Sequence, residues 1–392
     1  MVAIQEAKIT GWLASQHDSM VALLRSIVDI DSNSYDKRGI DAVGEVLSRF
    51  LAGHGVSVEV IEQPRHGDVL RACVPSPAPT GKAGGTVLLM GHRDTVFPDG
   101  EAGRRPFGIR DGRAYGPGVA DMKGGLVMNC FVLAAFARFG GAPAPLVGLF
   151  TGDEEIGSPE GRPVIEAEAR RARAVFNSEP GRRSGAVVTG RKGGVFLTFQ
   201  ITGRAAHSGG SFTEGISAIE ELARKVQAIH ALSDLDRGIT LNVGLVRGGQ
   251  SVNTVAPFAE GQIDLRYVRP EHRDEVVRQV LAIIERSFVS GTRARPELRG
   301  EFLPLTQTAQ SERLFRLYVA AAEASGFVPD GEFTGGCADS GFAAGVGAPT
   351  LCAVGPVGDK AHTAEEFLEL GSLVPRAQAC ARAILRLEQA GL

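Results

Sequence analysis

A chain of 392 residues is longer than a single hydrophobic core usually organises, so its length predicts two domains. Its 43% hydrophobic and 22% charged residues are ordinary for a globular protein and exclude a disordered or fibrous chain. The formal net charge of −3 gives no basic surface of the kind that nucleic-acid binding normally needs, so we expect no nucleic-acid partner.

Targeting signals are not apparent in the sequence. Residues 1–20 are polar and amphipathic, without the basic stretch and apolar run of a secretory signal. The apolar runs at 86–90 and 146–150 are too short to span a bilayer, so we expect no membrane association. The five cysteines are dispersed and form no C-x-x-C pair, which is typical of reduced thiols in a cytoplasmic protein.

The predicted elements begin with helical periodicity over 9–54, interrupted by a turn-rich segment at 29–35. Short apolar runs that predict buried strands then alternate with helical patterns. The predicted strands are 56–61, 86–90, 146–150, 174–176 and 350–354, and the predicted helices are 124–139 and 374–389. This alternation predicts an α/β domain with a mostly parallel sheet.

Residues 190–299 have a different pattern. Their predicted elements are a strand at 194–201, a helix at 215–231, strands at 241–246 and 259–267, and a helix at 270–288. The order β-α-β-β-α predicts a small α+β sandwich with both helices on one face. The α/β pattern returns afterwards, so we predict that 190–299 is a domain inserted into a larger one formed by 1–189 and 300–392.

Histidines and acidic residues mark the candidate site. All but one of them lie just past a predicted strand or on the loop after it, and Asp121 lies in the glycine-rich turn 116–125 ahead of a helix. Ligands gather at the carboxyl ends of the strands in open α/β sheets, so we expect these side chains to converge. In chain order they are His92, Asp94, Asp121, Glu154, Glu155, Glu179 and His362.

Two histidines and three carboxylates are a suitable ligand set for two zinc ions, and cobalt or manganese would also be compatible. Asp121 is the candidate bridge between the ions. His92 and Glu179 would complete one site, and Glu155 and His362 the other. A pair of cations about 3.5–4 Å apart polarises a carbonyl and activates a shared water.

Two further carboxylates have predicted roles beside the ligands. Glu154 is placed to take a proton from the water and pass it to the leaving amine. Asp94 is placed to accept the second ring N–H of His92 and to fix its tautomer. Taken singly, each residue has a simpler interpretation, such as a solvated helix start for the acidic run at 153–155. Those separate interpretations do not explain why so many candidate ligands occur together at suitable loop positions.

Together these motifs resemble the family of di-zinc aminoacylases and exopeptidases, which includes carboxypeptidase G-type enzymes, acetylornithine and succinyl-diaminopimelate deacylases, and carnosine-type dipeptidases. The resemblance implies a zinc-exopeptidase catalytic domain with an inserted lid and dimerisation domain. It also implies two Zn²⁺ per subunit and cleavage of an amide or peptide bond next to a free carboxylate. The motifs are the 29–35 turn, His92-x-Asp94, Gly118-x-x-Asp121-x-Lys123-Gly-Gly, Asp153-Glu-Glu-x-Gly157-Ser158, Glu179-Pro180, Gly203-x-x-x-His207, Gly335-Gly-x-x-Asp339 and Gly355-Pro-x-Gly-x-x-x-His362.

The resemblance assigns roles within the inserted domain as well. His207 resembles the histidine that reaches from one subunit into the active site of its partner and stabilises the oxyanion, so we expect a homodimer. Asn253, Arg266 and Arg299 resemble the set that binds the substrate carboxylate, a role suited to the planar fork of arginine. Without the resemblance, His207 would be a turn histidine and the other three would be surface polar groups.

The substrate remains open at several points. The segment 184–190 has no charged residue where glutamate-cleaving members are expected to carry a cation, so glutamate preference is not predicted. A carboxypeptidase and an N-acyl-amino-acid amidohydrolase need the same residues. An alternative is a catalytically retired metal-binding protein, although retirement normally removes a ligand or the base, and all are present. A nucleotide-binding enzyme is disfavoured because no G-x-G-x-x-G turn follows a first strand.

Overall fold

The computed structural model describes residues 2–77 and 85–392. Contacts divide the chain into two compact units. The large unit comprises residues up to Gly190, Leu305–Thr334 and Ala338–Leu392, and the small unit comprises Arg191–Pro304 and Gly335–Cys337. The small unit therefore continues past residue 299, where the sequence analysis ended the inserted domain, because a strand crosses that position.

Helices and strands are numbered here along the chain. The helices are α1 (Val2–Ala14), α2 (His17–Val28), α3 (Lys37–Gly53), α4 (Glu101–Arg104), α5 (Gly124–Arg138), α6 (Gly161–Ala169), α7 (Ala218–His230), α8 (Pro270–Glu285), α9 (Ala309–Glu323), α10 (Ser340–Gly345) and α11 (Leu373–Leu385). The strands are β1 (Ser57–Ile61), β2 (Val69–Val74), β3 (Thr86–His92), β4 (Gly108–Arg110), β5 (Arg113–Tyr115), β6 (Leu146–Thr151), β7 (Ala172–Asn177), β8 (Val187–Arg191), β9 (Gly193–Thr202), β10 (Thr240–Gly248), β11 (Phe258–Tyr267), β12 (Arg293–Phe302), β13 (Gly331–Thr334), β14 (Thr350–Cys352), β15 (Gly358–Asp359) and β16 (Phe367–Glu369).

The main sheet of the large unit has the strand order β1-β2-β6-β3-β7-β14-β8-β13. Its four central strands, β6, β3, β7 and β14, run parallel, and β1, β2 and β8 pair antiparallel beside them. Every residue of β6 is buried, as expected of a strand within a covered parallel sheet. The predicted α/β fold is confirmed, but the sheet is mixed rather than mostly parallel, because antiparallel strands flank its parallel centre. The carboxyl ends of the four parallel strands share one edge.

Helix α5 forms the centre of the hydrophobic core and is buried from Gly124 to Phe136. With the turn before it, the stretch Val119–Arg138 is long and apolar enough to cross a membrane, but nearly all of it lies buried inside the protein, as in a core helix. The predicted helix at 124–139 corresponds to α5 within one residue. Gly125 is required for close packing, since a Cβ there would lie 1.9 Å from the carbonyl oxygen of Ser178.

The two ends of the chain meet in the large unit, where α1 packs against α11. Ile9 and Leu13 of α1 are fully buried in the core that α11 shares. The Gln378 amide donates to the carbonyl of Thr10 at 2.8 Å, and Arg386 pairs with Glu6 at 2.7 Å. The first and last helices therefore complete one core together.

The small unit is an antiparallel sheet of order β10-β11-β9-β12. Alternate residues of β9, including Leu197 and Phe199, are buried with the apolar faces of α7 and α8, so both helices cover the same face. The predicted pattern β-α-β-β-α lacked β12. That strand has the sequence RARPELRGEF, in which charged residues alternate with uncharged ones, but two of the uncharged positions are Pro296 and Gly300, residue types that are depleted in strands.

A third sheet, with the order β15-β16-β5-β4, lies beside the glycine-rich turn of the large unit. Phe367 of β16 pairs with Tyr115 of β5, and Gly358 of β15 pairs with Leu368. This small sheet brings the 360–366 turn close to the 116–121 turn, although they are far apart in sequence.

Candidate metal centre

The structure brings the five predicted metal ligands together in the large unit. They form two overlapping groups, in each of which the potential ligand atoms lie within 4.8 Å of one another. One group is His92, Asp121 and Glu179, and the other is Asp121, Glu155 and His362. Asp121 belongs to both, with Oδ1 3.2 Å from His92 Nε2 and Oδ2 3.3 Å from His362 Nε2.

The spacing of these atoms fits two divalent cations. Ligand atoms bound tetrahedrally to zinc at ordinary bond lengths lie about 3.3 Å apart. Here His92 Nε2 lies 3.7 Å from Glu179 Oε1, and His362 Nε2 lies 3.2 Å from Glu155 Oε2. Oε1 of Glu155 is buried and has no hydrogen-bond partner among the described residues, so the carboxylate has an acceptor left for a cation.

Strand register accounts for the convergence. His92 ends β3 and pairs with Thr151, the last residue of β6, so the loop carrying Glu154 and Glu155 begins beside it. Glu179 follows β7, the parallel neighbour of β3 on its other side. His362 lies in the turn between β15 and β16 with a φ of 63°, a left-handed conformation uncommon outside glycine.

Asp94 connects His92 to the loop after β6. His92 Nδ1 lies 3.0 Å from the carbonyl oxygen of Asp94 and 3.3 Å from its Oδ1. The Asp94 carboxylate also accepts hydrogen bonds from the Ser34 hydroxyl and from the backbone N–H groups of Glu154 and Glu155. Burial raises the pKa of Asp94, but the hydrogen bonds from His92, Ser34 and Glu155 outweigh burial and hold the pKa below its usual value.

Glu154 belongs to neither ligand group, and its Oε2 lies 3.8 Å from His92 Nε2. Burial raises the pKa of Glu154 well above 4.5, and the neighbouring Glu179 raises it further. Hydrogen bonds with Asp121 and Glu155 raise the pKa of His362 to about 10. The cluster thus carries more negative charge than its own histidines neutralise, which is the environment that a bound cation would balance.

In the small unit, the structure places His207 and Asn253 on adjacent loops. The backbone N–H of Ser208 donates to the carbonyl of Asn253 at 3.0 Å. His207 is exposed, and its Nδ1 accepts hydrogen bonds from the backbone N–H groups of Gly209 and Gly210 at 3.1 and 3.0 Å. Because Nδ1 acts as the acceptor, the neutral ring carries its proton on Nε2, which is therefore the nitrogen able to donate.

The side chain of Arg266 is held on two sides within the small unit. Its Nε and one terminal nitrogen donate to the carboxylate of Asp264 at 2.6 and 3.1 Å, and the other terminal nitrogen lies 2.7 Å from Sγ of Cys337. The guanidinium also lies over the ring of Phe196, 5.1 Å from its centroid. These contacts leave the outer edge of the fork, between the two terminal nitrogens, able to meet a second carboxylate.

Arg299 has different surroundings from Arg266. It is exposed and pairs with Glu297 at 2.6 Å, at a bulge of β12 between Leu298 and Gly300. Within the described residues, the structure does not bring Arg299 and Arg266 into one hydrogen-bonded group.

Two buried carboxylates near the cluster were given no role by the sequence analysis. Asp339 accepts hydrogen bonds from Ser158 and Thr151, and so supports the loop that carries Glu154. Glu366 accepts three backbone N–H groups of the glycine-rich turn. In the sequence, the position of Glu366 four residues after His362 is the feature that could have indicated a role near the site. An acidic pair such as 365–366 is also typical of an ordinary solvated turn, so no role was predicted for it.

Comparison with known proteins gives a consistent result. The family model "Peptidase family M20/M25/M40" matches residues 88–386. Carboxypeptidase G2 from Pseudomonas sp. (strain RS-16) is 28% identical over 384 residues, which are 95% of this chain and 90% of that protein. Acetylornithine deacetylase from Klebsiella pneumoniae (strain 342) is 30% identical over 268 residues, 63% of this chain and 67% of that protein.

Solved structures share the fold. The M20 family metallo-carboxypeptidase Sso-CP2 from Sulfolobus solfataricus superposes with a TM-score of 0.76 at 17% identity, covering 93% of this chain and 98% of that one. Aminopeptidase PepT from Bacillus cereus ATCC 10987 gives a TM-score of 0.74 at 22% identity, covering 95% of this chain and 99% of that one.

Proposed function

Because the chain belongs to the peptidase family M20/M25/M40, whose members are metal-dependent hydrolases, we propose that it is a two-zinc enzyme that cleaves an amide or peptide bond next to a free carboxylate. The substrates are small peptides or N-acyl amino acids. The observation that carries the proposal is the sharing of Asp121 between two ligand groups. Carboxypeptidase and N-acyl-amino-acid amidohydrolase activity both fit, and relatives of both kinds match the chain.

The residues present would hold the two cations in distinct groups, one completed by His92 and Glu179 and the other by Glu155 and His362. When bound, the pair would polarise the scissile carbonyl and lower the pKa of a water molecule. Zinc suits these nitrogen and oxygen donors, and cobalt or manganese is compatible with them.

Glu154 is the proposed general base and general acid. Its carboxylate takes a proton from the attacking water and delivers it to the departing nitrogen, so that the amine leaves as a neutral group. Its position near His92, outside both ligand groups, supports this role. Asp94 holds the His92 ring in orientation through its contacts at Nδ1.

Arg266 and Asn253 are the proposed carboxylate-binding residues, and Arg299, which is exposed and paired with Glu297, is proposed to contribute less. The open outer edge of the Arg266 fork matches the two oxygens of a carboxylate. The segment 184–190 carries no charge and Ala186 within it is buried, so we propose no preference for a glutamate side chain.

His207 is proposed to act in the active site of a partner subunit, where its Nε2–H donates to the oxyanion of the transition state. This role requires a homodimer. Strand β10 supports association, because it is an edge strand of the small sheet and exposes Leu245 and Val246 by 64% and 59%. We further propose a cytoplasmic location, in keeping with five free cysteines.

The first experiment is metal analysis of freshly purified protein combined with a substrate panel. N-acyl amino acids and dipeptides would be tested with free and amidated carboxylates side by side. We expect about two metal ions per subunit and chelator-sensitive cleavage of the free-carboxylate forms only. Absence of bound metal, with none taken up on addition, would overturn the proposal. Equal cleavage of the amidated forms would remove the carboxylate requirement.

A further inference from the structure

Glu366 is a fully buried carboxylate that is bound by the backbone of a single turn. Its Oε2 accepts the N–H of Gly118 at 3.1 Å, and its Oε1 accepts the N–H groups of Ala120 and Asp121 at 2.8 and 3.0 Å. Glu366 therefore contacts the backbone of the residue whose side chain belongs to both ligand groups.

Strand pairing explains how Glu366 reaches this turn. Phe367, the first residue of β16, pairs with Tyr115, the last residue of β5. The residue before Phe367 therefore lies beside the residues that follow Tyr115, where the glycine-rich turn begins. Gly118 in that turn has a φ of 71°, and a Cβ there would lie 2.5 Å from Cγ2 of Thr95, so the turn has little room to shift.

The same residue also anchors the turn that carries His362. The backbone N–H of Glu366 donates to the carbonyl of Thr363 at 3.3 Å, and that of Thr363 donates to Lys360 at 3.2 Å. Residues 360–366 thus form a hydrogen-bonded turn with His362 within it and Glu366 at its base. Glu366 connects two turns that each supply a candidate ligand.

We propose that Glu366 is a positioning residue that holds Asp121 and His362 at the spacing needed for two cations. This inference rests on the proposed two-metal function. Glu366 itself belongs to neither ligand group and acts through the backbone of the 118–121 turn. Removing one acceptor oxygen from Glu366 breaks a hydrogen bond that holds the 118–121 turn. Because Asp121 lies in that turn and belongs to both ligand groups, cation binding should weaken in both of them.

E366Q is the most direct test, because glutamine keeps the shape of the side chain but replaces one acceptor oxygen with an NH₂ group. That group would face a backbone N–H, which cannot accept its hydrogen bond. Changes in residues that support metal ligands typically weaken metal affinity by about 10–100-fold. We expect a loss in that range for both ions.

The neighbouring residue provides a matched control. Glu365 is exposed and pairs with the exposed Lys360, so E365Q changes the same chemical group one position away without touching the 118–121 turn. Metal-free wild type, E366Q and E365Q would be titrated with Zn²⁺ against a competing chelator. The visible spectrum of Co²⁺-loaded protein would report the coordination geometry directly, independently of any enzymatic activity.

The inference is supported if E366Q binds Zn²⁺ at least about tenfold more weakly than wild type and alters the Co²⁺ spectrum, while E365Q matches wild type. It is overturned if E366Q retains wild-type affinity and spectrum. If circular dichroism shows that E366Q does not fold, E366D replaces it as the test, because aspartate keeps the charge on a shorter side chain. Weakened Zn²⁺ affinity of E366D supports the inference, and wild-type affinity overturns it. Failure of the wild type to bind two ions would instead reject the proposed function.

Discussion

Asp121 is the residue shared by the two ligand groups, since its two carboxylate oxygens face His92 and His362 separately. Its backbone is fixed at the same time by Glu366, so both ends of the residue are constrained. An asparagine at this position would offer one oxygen and one NH₂ group, and only the oxygen can bind a cation. The chemistry of the whole cluster therefore depends on one side chain in a turn.

Arg266 is expected to bind the substrate carboxylate through the outer edge of its fork, whereas Arg299 is already paired with Glu297. Lysine keeps the charge but cannot present two parallel N–H groups. We expect Arg266→Lys to raise KM for free-carboxylate substrates by about 10–100-fold, because it removes one hydrogen bond to a charged group, and losing such a bond typically weakens binding by that factor. Arg299→Lys should change KM by less than about twofold, in the range of an exposed ion pair.

Steady-state kinetics on the two variants would check this expectation. An unchanged KM in Arg266→Lys would remove Arg266 from the carboxylate-binding set. A comparable rise in Arg299→Lys would place Arg299 in that set despite its pairing with Glu297.

The convergence of the five candidate ligands could be predicted from the sequence because each lies in a recognisable local pattern. His92 and Glu179 follow apolar runs that predict strands, and strand ends share one edge of a parallel sheet. Glu366 could not be predicted in the same way, since its partner Asp121 lies 245 residues away along the chain. Its function depends on a pairing between two three-residue strands that have no periodic signal.

At the scale of elements, a buried ion pair within α7 holds the end of α8. Lys225 and Glu221 on α7 are both buried, with 2.7 Å between their charged atoms. The ammonium of Lys225 donates to the carbonyls of Ile283 and Ile284 in the last turn of α8. Glu221 accepts backbone N–H groups just beyond that helix. Lys225 therefore satisfies carbonyl groups that the end of α8 leaves without partners, and Glu221 satisfies N–H groups of the segment that follows it.

Glu221→Gln should destabilise the small unit at neutral pH by about 3 kcal/mol, because it leaves Lys225 buried without its counter-charge. Burial raises the pKa of Glu221, but the hydrogen bonds from Lys225 and the backbone outweigh burial and hold the pKa below 4.5. A carboxyl with a lowered pKa in the folded state stabilises the protein above 4.5 and loses that contribution as the pH falls through its folded pKa. The difference between wild type and variant should therefore shrink below pH 4.5.

Urea unfolding of the small-unit transition at several pH values would measure this difference. Glu220→Gln is the matched control, because Glu220 is exposed and pairs with Arg224 on the surface of the same helix. It should change stability by no more than about 0.5 kcal/mol. If the difference in free energy of unfolding between wild type and Glu221→Gln does not change with pH, the ion pair is not the source of that difference.

Elements could be predicted where large apolar residues recur with a helix or strand period, and were missed where proline and glycine occupy the periodic positions. The predicted helix at 270–288 and strand at 259–267 correspond to α8 and β11 within a few residues. Strand β12 alternates charged and uncharged residues, but Pro296 and Gly300 among the uncharged positions hide the strand pattern. It is an edge strand that pairs with β9, and proline is tolerated at the edge of a sheet.

At the scale of the whole molecule, the proposed homodimer makes each active site depend on two chains. Glu154→Gln should bind metal but have no measurable turnover, and His207→Ala should lose activity by about 10²–10³-fold, as for loss of an oxyanion donor. Mixing the two variants should recover part of the activity, because one site in the mixed dimer has an intact Glu154 and receives an intact His207.

Activity of the mixture, measured after subunit exchange has been verified with differently tagged chains, checks this expectation. A mixture of wild-type and Glu154→Gln dimers is the control, because it shows how subunit exchange alone changes the measured activity. No recovery in the mixture despite exchange would place His207 outside the partner's site.

The packing of α1 against α11 has a consequence for how the chain matures during synthesis. The ribosome releases α1 long before α11, so their contact cannot form until synthesis has passed Leu385. Apart from Gly335–Cys337, the small unit is one continuous segment with its own core, and that segment is complete much earlier. Until α11 has been synthesised, the apolar side chains of Ile9 and Leu13 lack part of the surface that covers them in the folded protein, so α1 of the nascent chain exposes a binding site for chaperones.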